Sequence, residues 1–217
     1  MTSIEKSFRK AFFFILIADE YRSSLGNERQ EAIGQLVVFG QHLHIFVCEA
    51  HIDDPLRFFD IAVEGGQYFK ESDTLSAGNT ITTFETEFGT MGLAICFDMR
   101  FEELCRCMAL RGAKVIFAPS AFNMTTGPAH WELLFRQRAV DNQCFTVACS
   151  PARDENGSYV AYGNSLAVDP WGTVLSRCGG EVCTQIVDLD LSKIESVRRQ
   201  LPILRARRTD LYEIREI

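Results

Sequence analysis

MGLAICFDMRFEELCRCMALRGAKVIFAPSAFNMTTGPAHWELLFRQRAVDNQCFTVAC, residues 91–149, is the stretch that decides the fold. Residues 91–95 form a continuous apolar run of strand length, as a strand buried on both faces requires. Phe101, Leu104, Cys105 and Met108 then recur at a spacing that puts them on one helical face, and Gly112 closes that helix. Residues 114–118 are a second buried strand, ended by Pro119. Pro128 suits a first helical position, and Leu133, Leu134 and Val140 keep helical periodicity as far as Asn142. Residues 144–149 return to strand. This βαβαβ order predicts a parallel section flanked by helices.

Outward from that unit the pattern changes. Residues 80–86 read as a strand rich in β-branched residues, with a turn at Gly89-Thr90. Residues 165–168, 174–176 and 184–189 are three short strands around turns at residues 169–172 and 178–180, close enough together to be antiparallel. Residues 192–200 read as a last helix, with Ser192 as its cap and Glu195 three residues later. The expected result is an α/β fold with a mixed sheet. Upstream, residues 36–39 and 43–48 suggest a hairpin about Gly40, and residues 11–18 (AFFFILIA) a buried strand or short helix. Lys6, Arg9 and Lys10 ahead of that run resemble a weak leader, but Asp19-Glu20 stand where a small-residue cleavage site belongs.

The chain has 217 residues, 47% of them apolar and 24% charged, which suits a globular domain and excludes collagen-like and wholly disordered classes. A net charge of -7 offers no overall attraction to a phosphate backbone or an anionic membrane, so neither nucleic acid nor a membrane is an expected partner. No run approaches the roughly 18 apolar residues of a spanning helix. Eight cysteines spread along a chain with ample apolar residues read as thiols in a reducing compartment.

One of those thiols has a physical reason to react. In GLAICFDMRF (residues 92–101) the chain leaves a buried strand for a helix at Cys96, so the sulfur faces backbone N–H groups and the positive end of a helix dipole. The N–H of Phe97 suits an oxyanion formed when a thiolate attacks a carbonyl carbon. The bland alternative is a small buried thiol at a strand end.

The surroundings of Cys96 decide between these. CFDMRFEEL (96–104), RGA (111–113), PSAF (119–122), TGPAHWE (126–132), RQRAVDNQ (136–143), SPARD (150–154), YGNS (162–165), VDPWG (168–172) and RTDLY (208–212) together resemble the nitrilase superfamily of carbon–nitrogen hydrolases. The resemblance runs from Phe58 to the C-terminus, which divides the chain into a divergent segment, residues 1–54, and a hydrolase domain, residues 55–217. FNMTTGPAHWELL (122–134) with SPARD is most similar to the omega-amidase branch, whose substrates are the omega-amides of 2-oxo dicarboxylic acids; the deaminated-glutathione amidase branch stands next. The resemblance implies a nitrilase-like α-β-β-α sandwich, incomplete at its N-terminus here and commonly paired as a homodimer. It also implies a small-molecule amide substrate and a thioester on Cys96, with no cofactor and no metal. Phe97 takes the oxyanion role, Glu71 that of an auxiliary acid, and Ser120, Phe122, His130 and Trp131 line the substrate pocket. For His130 a satisfied structural histidine is an equal alternative.

The family's lysine aligns with Pro55, and its glutamate base has no counterpart in the 54 residues ahead of that proline, unless Glu49 substitutes. A second reading follows from this, a catalytically silent nitrilase-like domain that acts through subunit association. The His130-x-Glu132 pair lacks the P-C-x-x-C partner of a zinc deaminase site, so metal chemistry is not expected. Arg198, Arg199, Arg205, Arg207 and Arg208 form a basic cluster best read as a solvated or interface face. The expected location is the cytoplasm or the mitochondrial matrix.

Overall fold

The computed structural model describes residues 77–157 and 159–217, residue 72, and the strand segments Ala11–Ala18, Gln35–Gly40, Leu43–His44, Asp60–Val63 and Gln67–Lys70. Those five segments are strands β1 to β5. Downstream come β6 (Thr83–Thr86), β7 (Gly89–Leu93), α1 (Glu102–Leu110), β8 (Val115–Pro119), α2 (Gly127–Asn142) and β9 (Phe145–Cys149). The chain ends with β10 (Leu166–Val168), β11 (Val174–Arg177), β12 (Cys183–Asp190) and α3 (Ser192–Gln200).

The expected parallel unit is present: Met91 of β7 lies opposite Val115 of β8, and Val115 opposite Phe145 of β9. Strand β6 joins β7 antiparallel, β10 joins β9 antiparallel and β11 joins β10 likewise, giving a six-stranded mixed sheet in the order β11-β10-β9-β8-β7-β6.

Side-chain parity explains the layers. On β8, Val115 and Phe117 point to one face while Ile116 and Ala118 point to the other; on β9, Phe145, Val147 and Cys149 share the first face and Ala148 takes the second. All are buried, so the sheet needs cover on both sides. The second face is covered by α1 and α2 through Leu104, Cys105, Met108, Trp131, Phe135 and Ala139. The first face packs on Val187 and Leu189 of β12, with Ile194 of α3 in the same cluster. Strand β12 belongs to a second sheet, ordered β12-β1-β2-β3, in which β1 runs antiparallel to β12 with Ala11 opposite Asp190 and Ala18 opposite Cys183. Three layers, helices on sheet on sheet, are thus stacked among the described residues. Residues 11–18 take the strand alternative, and the hairpin about Gly40 forms as β2 and β3.

Two expectations need correction. Ser192 does not cap α3: it is the first helical residue, and Asp190 just upstream accepts from its N–H at 3.1 Å. Not every cysteine is a thiol either, because Cys178 and Cys183 are disulfide-bonded across a 6.0 Å Cα separation. That bond closes the loop joining β11 in one sheet to β12 in the other.

The strand parity makes a stability prediction. Phe117, 1% exposed between the two sheets, becomes a cavity in Phe117→Ala, with an expected cost of about 3–5 kcal/mol. A lowered denaturant midpoint at unchanged slope checks this.

Candidate active site

The site begins where β7 ends. Three residues past Leu93 the backbone turns at Cys96 with φ 45°, a left-handed conformation that costs a non-glycine residue of the order of 1–2 kcal/mol and is held only by its surroundings. A short 3-10 turn, Cys96–Arg100, follows, and it is fastened at both ends. Asp98, 3% exposed, accepts the Ile95 N–H on Oδ2 at 3.0 Å and donates its own N–H to the Ile95 carbonyl at 2.9 Å. Arg138, reaching from α2 and 4% exposed, donates Nε to the Met99 carbonyl at 3.0 Å and Nη2 to the Arg100 carbonyl at 2.9 Å.

This corrects the expected source of charge. Helix α1 begins at Glu102, after Phe101 in extended conformation, so no long helix dipole ends at the sulfur. A cation reaches it from a side chain instead. Arg100 is half-buried, and burial lowers its pKa while the charge of Cys96 acts in the opposite direction. Its guanidinium lies 4.7 Å from the ring centroid of Phe122 and 5.8 Å from that of Phe97, and its Nη1 is 3.2 Å from Nδ1 of His130. Among the described residues, no carboxylate pairs with it.

Cys96, Phe97, Arg100, Ala121, Phe122 and Thr126 line one crevice. Of the four residues expected in the pocket, Phe122 lines it directly and His130 adjoins it through Arg100. Trp131 is fully buried behind that wall, edge-on to Phe122 and Phe135, and donates Nε1–H to the Asn164 carbonyl at 2.7 Å. Ser120 is buried as well, with its hydroxyl donating to the Ala118 carbonyl at 3.2 Å. Trp131 and Ser120 therefore support the crevice from behind. Glu71, Pro55 and Glu49 lie outside the described residues.

The floor and wall are built tightly. Asn123 accepts the N–H groups of Thr125 and Thr126 at 3.0 and 2.8 Å, fixing the start of α2. Tyr162 donates its N–H to the Phe122 carbonyl at 2.7 Å, and its ring sits so near Gly127 that an added Cβ would approach within 2.4 Å. Only glycine fits there.

Sequence reasoning missed Arg100, Asp98 and Arg138 as site residues. The signal was available in CFDMRF: two charged residues interrupt an otherwise apolar strand-to-helix junction, where each needs a buried partner.

The other described thiols differ from Cys96. Burial pushes Cys105 and Cys144 up to about 12, Cys107 is also raised by burial, and Cys149 is 1% exposed. Cys96 alone among them is partly exposed. A reachable thiol beside a cation, in a crevice with aromatic walls, can attack the electrophilic carbon of a small anionic molecule. No group of three His, Cys, Asp or Glu among the described residues could hold a metal. Glu132 pairs with Arg136 and Arg177, not with His130.

The family model for carbon–nitrogen hydrolases matches residues 37–199. The chain belongs to the carbon–nitrogen hydrolase family. It is 52% identical to mouse omega-amidase NIT2 over 159 residues, 73% of this chain and 58% of that protein, so the chain spans somewhat over half the length of the curated relatives it matches. Among solved structures it resembles Nit3 of Saccharomyces cerevisiae, a member of branch 10 of the nitrilase superfamily, with a TM-score of 0.62 and 48% identity over 64% of this chain and 51% of that one. NitFhit of C. elegans gives a TM-score of 0.68 at 39% identity, covering 74% of this chain and 39% of that one. The nitrilase-superfamily fold and the omega-amidase branch inferred from the motifs both stand.

Two outcomes test the site. Iodoacetamide at neutral pH should alkylate Cys96 and leave Cys105, Cys107, Cys144 and Cys149 unmodified, as read by peptide mass spectrometry of the native protein. Arg138→Ala orphans the carbonyls of Met99 and Arg100, so a loss of about 2–4 kcal/mol in the denaturant midpoint is expected, together with slower Cys96 alkylation.

Proposed function

We propose that the protein is an omega-amidase-like hydrolase of small 2-oxo dicarboxylic acid omega-amides, 2-oxoglutaramate and 2-oxosuccinamate. The observation that carries this reading is the pairing, in one crevice, of the strained Cys96 turn with the half-buried guanidinium of Arg100. A nucleophile alone would serve any amide. A buried cation without a carboxylate partner among the described residues favours a substrate that brings its own carboxylate.

In this reading the Cys96 thiolate attacks the amide carbon, and the Phe97 N–H, next along the chain, stabilises the oxyanion. The C–N bond breaks, the leaving nitrogen takes a proton and departs as ammonia, and a thioester remains on Cys96. Water then adds to the thioester, releasing the carboxylic acid and restoring the thiol. Glu71 takes the part of an auxiliary acid by its match to the family's motif. Ser120 and Trp131 hold the wall from behind, while Phe122 and His130 border the substrate. No cofactor or metal enters the sequence of steps. The working unit in this reading is a homodimer in the cytoplasm; five of the described cysteines are unbridged, beside the one Cys178–Cys183 bond, and among the described residues no helix is long and apolar enough to cross a membrane.

A second reading rests on Pro55, which stands where the family's lysine aligns: a nitrilase-like domain without turnover that acts through subunit association. Loss of one oxyanion donor costs about 10²–10³ in rate, so even the active form should turn over slowly. Ammonia release from 2-oxoglutaramate, measured beside Cys96→Ala, separates the two readings. The parent should release ammonia and the variant none above background. Equal rates would sink the amidase reading and leave the silent domain.

A further inference from the structure

We infer that His130 is a positioning residue that aims the Arg100 guanidinium into the crevice and so sets the preference for carboxylate-bearing substrates. This deepens the reading of Arg100 as the carboxylate receiver, and it rests on that reading.

The contact itself fixes the roles. Nη1 of Arg100 and Nδ1 of His130 are 3.2 Å apart, and a guanidinium can only donate. Nδ1 is therefore the acceptor, and the neutral ring carries its proton on Nε2. Without that acceptor, Arg100 is held among the described residues by its backbone and by two aromatic faces, Phe122 at 4.7 Å and Phe97 at 5.8 Å. Ring faces hold a guanidinium near a plane but leave it free to rotate within that plane. Bidentate recognition of a carboxylate needs the rotation fixed as well, because the two N–H bonds must run parallel to the two oxygens.

His130 can supply that reference because it is itself rigid. It lies in the first turn of α2, where its N–H donates to the Thr126 carbonyl at 2.8 Å, and Asn123 accepts the N–H groups of Thr125 and Thr126 beneath it. The opposite end of Arg100 is pinned by Arg138 from the same helix. One helix thus holds both the main chain and the side chain of Arg100.

The test uses the full chain and two alkylating reagents that differ in one group. Iodoacetate carries a carboxylate and iodoacetamide does not; in both, the Cys96 thiolate displaces iodide from the CH₂ carbon, so no amide turnover is needed. The readout is the ratio of the iodoacetate rate to the iodoacetamide rate at Cys96 within each variant. Arg100→Ala should lower the ratio about tenfold or more and thereby test the carboxylate reading by itself; an unchanged ratio there overturns that reading and the inference with it. His130→Ala should lower the ratio about fivefold to tenfold. His130→Asn, whose Oδ1 takes the place of Nδ1, should restore it to within about twofold of the parent. In the Arg100→Ala background His130→Ala should have no further effect.

A parental ratio in His130→Ala, or His130→Asn as low as His130→Ala, overturns the inference. A fall in both rates at constant ratio overturns it too, since that reports damage to the Cys96 turn and not to carboxylate selection. Should His130→Ala fail to fold, His130→Gln, which displaces the acceptor by one bond, is expected to show the same lowered ratio, and a parental ratio there overturns the inference.

Discussion

Strands β8 and β9 bury both of their faces, and the rest of the structure answers that demand. Ile116 and Ala148 cannot face water, so α1 and α2 must lie over them; Phe117 and Phe145 cannot either, so β12 must bring Val187 and Leu189 to the other side. At about 25 cal/mol for each Å² of apolar surface removed from water, this double cover is the dominant favourable term, and no local propensity competes with it. The second sheet exists to complete it.

The same demand places the chemistry. Parallel strands β7, β8 and β9 run in one direction, so their C-terminal ends open on a common edge, where Cys96 follows β7, Ala121 and Phe122 follow β8, and α2 starts over them. Ligand crevices in sheets of this kind form outside the carboxyl ends of the strands because the loops there are free of sheet hydrogen bonds yet held by a rigid base. The strain at Cys96 is affordable on such a base: Asp98 and Arg138 fix the turn on either side of the sulfur, and both are anchored in the buried part of the molecule. Charge in the crevice comes from a side chain at the far end of that turn. This explains how a turn of five residues, too short for a useful dipole, can still present a cation to a thiol.

Much of this was legible in the residues. Continuous apolar runs at residues 91–95 and 115–118 read as strands covered on both faces, and the helical spacing between them indicates the crossovers, so the parallel unit and the position of Cys96 follow from pattern. What pattern could not supply was distance. Trp131 reads as a pocket residue because it adjoins His130, but adjacent helical positions point about 100° apart, and the structure sends one to the crevice and the other into the core. Arg100 sits in the quoted motif, yet its role depends on where Phe122 and His130 arrive from further along the chain. The Cys178–Cys183 bond needs two strands from different sheets to approach, which no spacing rule for a globular chain of ordinary composition would demand.

The pairing of β1 with β12 carries a consequence for how the chain is made. Ala11 lies opposite Asp190, so partners separated by most of the sequence form one ladder. During synthesis β1 emerges first and has to wait until its partner has left the ribosome, with an unpaired edge in the interval. Contacts of such long range close slowly because loop entropy is lost before the hydrogen bonds form. The six-stranded sheet, whose neighbours are nearer in sequence, can assemble ahead of it. Completion of the second sheet is therefore a late step, and the chain in which β1 still lacks β12 is the species most exposed to edge-to-edge association.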